Sequence, residues 1–400
     1  MLSPASRTMT VLLATLTGMA PFATSMFMPS LPDIARTFDV SATQVQLSVT
    51  AYLFGLAIGQ IFYGPIADRF GRKPVVLAAL TIFSAATIVC AVAPTVEVLI
   101  AARALQAVGG AGTIVLARAI VRDSHEGPQA ARELALMSSF MALAPIIAPI
   151  FGGVLQAWFG WRSTFVALVV IALIQLIIVM FLVSETIRQR TSELSISSTF
   201  RTFGLFLRNP AYLANTALGA GAFAGGYAWL SGSAFVLQNL HGLGVVEFSI
   251  VYVISSIGFL VGNASASRLV MRYGINTTMG VGAITLLVAS VALLLLLGLG
   301  INSVTALVVP STLFLAGMGM VMPQSFAGSL MMFPNNAGAA SSLAGFIQQS
   351  AGGISAGAVG FFIGESEWPV VLGIASMGIF VFVVWILTNR VRAELIKPAS

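Results

Sequence analysis

The sequence predicts an all-α polytopic membrane protein with twelve transmembrane helices in two pseudo-symmetric six-helix halves. Three observations carry that expectation. Of the 400 residues, 58% are hydrophobic and 8% charged, with a mean hydropathy of +0.98, which excludes a water-soluble globule. Apolar runs long enough to cross a bilayer, roughly 20 residues each, recur from end to end. The charges collect in the short segments between the runs, which leaves no stretch able to bury a soluble core of its own.

Windows of about 19 residues place spans at 8–31, 43–64, 74–93, 96–118, 134–157 and 163–183 in the first half of the chain. A second set follows at 211–236, 246–267, 277–299, 303–331, 337–363 and 368–389. The first run is longer than a signal-peptide core and no A-x-A site ends it before TSMFMPSLP, so it is expected to persist as a helix. With the N-terminus in the cytoplasm, the inner segments hold Arg7, Arg69, Arg72, Lys73, Arg118, Arg122, Arg132, Arg188, Arg190, Arg201, Arg208, Arg268, Arg272, Arg390, Arg392 and Lys397. The outer segments hold Arg36 and Arg162, and Arg103 falls inside a span. By the positive-inside rule this asymmetry puts both termini in the cytoplasm of a multi-pass inner-membrane protein. The net charge of +6 is then a property of topology, and no nucleic-acid partner is expected.

Enzymatic readings fail on residue types. Cys90 is the only cysteine, which excludes an intrachain disulfide and a cysteine metal site. Both lysines, Lys73 and Lys397, precede proline, so the Gly-Lys-[Ser/Thr] phosphate loop that ATP requires is absent. His125 and His241 lie in loops on opposite sides, without a metal-binding H-E-x-x-H, a nucleophile elbow or paired carboxylates. No enzyme activity, metal or cofactor is expected.

The longest polar segment, 184–210, divides the spans six and six and reads as a cytoplasmic linker between a first half, 1–183, and a second, 211–400. A trace of duplication supports the division. Met271, Arg272, Tyr273 and Gly274 align with Asp68, Arg69, Phe70 and Gly71, each set following a glycine-containing apolar run, and the second copy has lost the acid and the following Arg-Lys pair.

The stretch YGPIADRFGRKPVVL, 63–77, is charged beyond what topology needs, since one or two basic residues would hold a loop. Its Gly64, Asp68, Arg69, Gly71, Arg72 and Lys73 resemble the loop signature of the major facilitator superfamily, between the second and third helices. That resemblance implies a conformational latch in which the acid faces the start of the eleventh helix. The loop before that helix, MMFPNNAGAA, has no Lys or Arg, so the expected partner is a helix N-terminus capped by Asn335 or Asn336. Arg118 is a second expected partner.

In the fourth span, RALQAVGGAG resembles the family's R-x-x-Q-G-x-G pattern with Arg103, Gln106 and Gly109 in place. A membrane arginine is expected to face a wet cavity or an acid. In the fifth, APIIAPIFGG, with Pro145, Pro149, Gly152 and Gly153, resembles the helix-interface signature of drug:proton antiporters. The pieces MPSLPDIA, LQAVGG and FGWRSTF, together with 45–77, are similar to the Bcr/CflA branch of twelve-helix multidrug exporters. One departure stands out. Many members of that branch read A-T-D-M-Y-x-P in the first helix, and the resemblance implies a site of protonation at that aspartate, whereas this chain reads ATSMFMP with Ser25 there, and the nearest acid, Asp33, lies roughly 12 Å further out.

The resemblance implies efflux of small amphipathic drugs by alternating access, with protons as the coupling ion in antiport, in a monomer embedded in the lipid bilayer. Tyr52, Gln60, Gln106, Tyr227, Trp229, Gln238, Phe346 and Gln348 are the expected substrate-cavity residues, offering aromatic faces and neutral hydrogen-bonding groups. The alternative is an exporter or facilitator of an endogenous metabolite without strong proton coupling, for which Ser25 would be natural.

Overall fold

The computed structural model describes residues 7–125, 127–187 and 196–393, and all regular structure among them is helical. The chain separates into two compact units, Met1–Ile196 and Ser197–Ser400.

The first unit opens with α1, Arg7–Phe27, which passes through the 3-10 turn Met28–Ser30 into α2, Leu31–Phe38. Prolines at 29 and 32 fit here because they occupy first-turn positions, where a missing N–H leaves no bond unmade. Next comes α3, Ala42–Phe70, started by a capping box in which Ser41 Oγ accepts from Gln44 N and the Gln44 side chain accepts from Ser41 N. It is followed by α4, Arg72–Ala91, α5, Val96–Ser124, α6, Gly127–Phe159, and α7, Arg162–Leu182. The buried helix α5 packs against α1, α3 and α4, while α6 lies on α1 and α7 on α4. Small residues set those distances: a Cβ at Gly109 would stand 2.7 Å from the Ala79 carbonyl oxygen and 2.6 Å from Phe83 N.

The second unit begins with α8, Ile196–Phe206, a short helix inside the segment expected to be a plain linker. Its apolar side supplies the reason: Phe206 stacks on Phe333 at 4.3 Å and on Tyr212 at 5.5 Å. Asn209 Oδ1 then accepts from Ala211 N and Tyr212 N to start α9, Pro210–Phe235, which ends in a π turn, Val236–Leu240. A helix of 54 residues follows, α10, Val245–Gly298, broken at Gly274 (φ 79°, ψ 172°), so that it makes two spans. The unit closes with α11, Val304–Met331, the turn Pro334–Asn336, α12, Ala337–Phe362, α13, Trp368–Leu387, and the short α14, Asn389–Ala393.

Six spans per unit give twelve. Nine helices among the described residues are long and apolar enough to cross a membrane on composition alone, α10 being counted once. The two long helices outside that set, α9 and α12, are rich in Gly, Ala and Ser, and α9 is buried almost all round. A helix that faces other helices needs small residues more than lipophilic ones.

Candidate functional site

Arg103 is the organising residue of the first unit. It is fully buried on α5, and its NH1 donates to Gln106 Oε1 at 2.6 Å, while Gln106 Nε2 donates to Thr87 Oγ1 at 2.8 Å. The guanidinium carbon lies 3.9 Å from the centre of the Tyr52 ring, 4.4 Å from Phe27 and 5.9 Å from Phe165. The Tyr52 hydroxyl donates to the Ala20 carbonyl at 2.9 Å. Five spans, α1, α3, α4, α5 and α7, thus contribute to one cluster. Placing an arginine at mid-membrane costs about 2.5–3.5 kcal/mol, and a desolvated cation–π contact returns about 2 kcal/mol, so the two nearest rings match the penalty.

Arg103 is buried within the first unit, with the aromatic faces of Tyr52, Phe27 and Phe165 around it. Tyr52 and Gln106, expected in a substrate cavity, are wholly buried and engaged with Arg103 and its neighbours. Gln60, Tyr227, Gln238, Phe346 and Gln348 keep partial exposure, whereas Trp229 is 2% exposed.

The loop between α3 and α4 forms a second cluster. Gly71 ends α3 at φ 102° and ψ 156°, a conformation open essentially to glycine alone. The turn brings Arg72 between two acids: NH1 to Asp68 Oδ1 at 2.7 Å and Nε to Asp123 Oδ2 at 2.8 Å. Glu185, just past α7, accepts from Arg72 N at 2.9 Å and Lys73 N at 3.3 Å, placing a carboxylate on the positive end of α4. Arg69 lies over the Phe70 ring at 5.3 Å, and a Cβ at Gly64 would meet open space.

Among the described residues Asp68 forms its ion pair with Arg72, and Arg118 instead directs NH2 to Met141 Sδ on α6 at 3.6 Å. Asn336 makes no side-chain cap at the start of α12; the Asn335 side chain lies outside the described residues, as do Arg188, Arg190 and Lys397. Asp123 and Glu185 went unnoticed in the sequence, although each is an acid at the end of a span in a chain with only 13.

The α6 signature packs on α1. A Cβ at Gly152 would collide with the Met26 carbonyl oxygen, and Gly153 is buried beside it, while Pro145 and Pro149 lie inside the helix. Ser25, one residue before that contact, is 4% exposed. Asp33 sits beyond it and accepts from Gln156 Nε2 at 2.6 Å and from Arg36 at 3.4 Å; Ser30 Oγ donates to Gln156 Oε1 at 2.8 Å. Gln156 thus ties α2 to α6, a role the spacing of acids could not reveal.

The family model described as Major Facilitator Superfamily matches residues 13–356. The chain belongs to the Major Facilitator Superfamily. It is therefore a member of a family of membrane transporters, not of enzymes. Within the superfamily it is 28% identical to multidrug resistance protein D of Escherichia coli strain K12, over 94% of each chain. It is 27% identical to the bicyclomycin resistance protein homolog of Haemophilus influenzae, over 94% of this chain and 95% of that one. The similarity to the Bcr/CflA branch thus runs through both units. Among solved structures, a D-xylose-proton symporter superposes with a TM-score of 0.79 at 15% identity, covering 96% of this chain and 97% of that one, which places the superfamily fold on both.

Proposed function

We propose that this protein exports small, lipophilic, largely neutral drugs across the inner membrane, with both termini in the cytoplasm, by alternating access of two six-helix halves. The observation that carries the reading is its whole-length similarity to relatives named for resistance to drugs. The charge inventory narrows the substrate: Ser25 stands where the family resemblance implies an acid, and Arg103 is already engaged by aromatic rings, which favours neutral compounds over dications. Proton antiport is the proposed drive. One proton crossing about 100 mV supplies about 2.3 kcal/mol, enough for about a 40-fold gradient of a neutral substrate.

Ser25 favours a second reading, an exporter or facilitator of an endogenous metabolite with weak proton coupling. Drug-susceptibility profiling of an efflux-deficient host expressing the chain, with and without an uncoupler, separates the two. Resistance to neutral drugs that collapses with the uncoupler is expected; unchanged susceptibility to every drug would leave the metabolite reading.

A further inference from the structure

The two glycine breaks, at Gly71 and Gly274, are followed by corners of opposite chemistry. In the first unit, Arg72 is held by Asp68 and Asp123, and Glu185, after α7, covers the start of α4. In the second unit, the residues after α13 reach the corresponding corner, but every acceptor there is neutral. Arg392 donates through NH1 to Asn276 Oδ1, through Nε to Thr388 Oγ1 at 3.0 Å and through NH2 to the Trp385 carbonyl at 2.7 Å, while Asn276 Nδ2 donates to Asn389 Oδ1 at 2.7 Å. Where α5 ends on Asp123, α11 ends on Ser329, Leu330 and Met331.

Arg392 is 3% exposed, and among the described residues it forms no ion pair. Burial pushes its guanidinium down to about 10. The three bonds use three of the five N–H groups that an arginine carries. Beside it opens a small cavity lined by Ala211 and Asn215 of α9, Asn276 of α10, Gly328 and Met331 of α11, and Arg392 itself. It lies just past α13, a helix long and apolar enough to cross a membrane, and Met331 in its lining is exposed.

We propose that this cavity binds a phosphate group, which supplies to Arg392 the negative charge that Asp123 supplies to Arg72 in the first unit. The phosphate has two sources, an anionic lipid headgroup or free phosphate, and both present the same oxygens to the guanidinium and to the side-chain amides of Asn215 and Asn276.

Native mass spectrometry and thermal melting of the full-length purified protein test this, with phosphatidylglycerol, phosphatidylcholine and inorganic phosphate as separate probes. Wild type is expected to retain phosphatidylglycerol about five-fold better than Arg392→Gln, the effect of one cation near a membrane surface, and to melt higher with it than with phosphatidylcholine. A gain from inorganic phosphate alone would support the site and identify the free anion as its source. Met331→Glu, at an exposed position, offers a carboxylate from the chain itself and should melt as high without added anion as wild type does with it. The proposal is overturned if neither anion stabilises wild type over the phosphatidylcholine control, or if Arg392→Gln and Met331→Glu both keep the full wild-type response.

Discussion

Gly71 and Gly274, one in each unit, turn the backbone the same way: φ 102° and ψ 156° at the first, φ 79° and ψ 172° at the second. The four-residue alignment that joins them in the sequence is faint, yet the conformation is shared while the side chains around it have changed. A turn that only glycine adopts without strain is common to both units, while the charges beside it are not.

That strain gives the first prediction. Gly274→Ala meets no atom within 4 Å, so any loss comes from the backbone alone. Both Gly71→Ala and Gly274→Ala should lose about 1–3 kcal/mol of stability, seen as lower melting temperatures of the detergent-solubilised protein. An unchanged melt in either variant would mean that the turn relaxes freely.

Asp68 and Asp123 share Arg72 but should respond differently. The Asp68 side chain is 48% exposed, so its ion pair contributes at most about 1 kcal/mol, and Asp68→Asn should cut efflux while barely moving the melt. Asp123 is 22% exposed against an arginine at 11%, and Asp123→Asn should destabilise by about 2 kcal/mol. Efflux rates and melting curves of the two variants, compared in one membrane preparation, distinguish latch from brace. Wild-type efflux in Asp68→Asn would remove the latch.

For Arg103, lysine should substitute poorly. A planar guanidinium lies between the Tyr52 and Phe27 rings and still bonds Gln106, whereas an ammonium is a point charge with stronger hydration. Losing about 1.4 kcal/mol of these contacts would slow transport about ten-fold. Full activity in Arg103→Lys would show that a positive charge alone suffices there.

Much of this was legible in the sequence, for reasons that differ by residue. Most span positions follow from hydrophobicity, and the Asp68 loop announces itself by being charged where charge is scarce. What stayed hidden were partners. Phe27 and Phe165 are ordinary aromatics in apolar helices until α1 and α7 bring them over Arg103, and Gln156 reveals its role only when α6 lies against α2. The start of α8 was missed because its segment is polar on average while its phenylalanines face one side. Tyr52 and Gln106 are polar in membrane helices, a property that a substrate cavity and a buried arginine alike demand of their surroundings.

Ser25→Asp would place in the first helix the acid that the resemblance to the Bcr/CflA branch implies there. Efflux by the variant in proteoliposomes should depend more steeply on an imposed pH gradient than wild type, and cationic probes should become substrates. If wild type is already strongly proton-driven and Asp33→Asn leaves that drive intact, coupling resides elsewhere and the substitution should change little.

The small-residue composition of α9 and α12 bears on how the chain is made. A helix built from Gly, Ala and Ser gains little free energy on leaving the translocon for lipid alone. Its stability in the bilayer comes from close contact with neighbours, and for α9 those neighbours are α11, α12 and α13, all synthesised after it. The start of the second unit must therefore wait for its end. Truncation within the last spans should strand α9 half-inserted and expose it to membrane proteases, so that synthesis of α13, which starts 133 residues after α9 ends, completes the integration of the earlier helix.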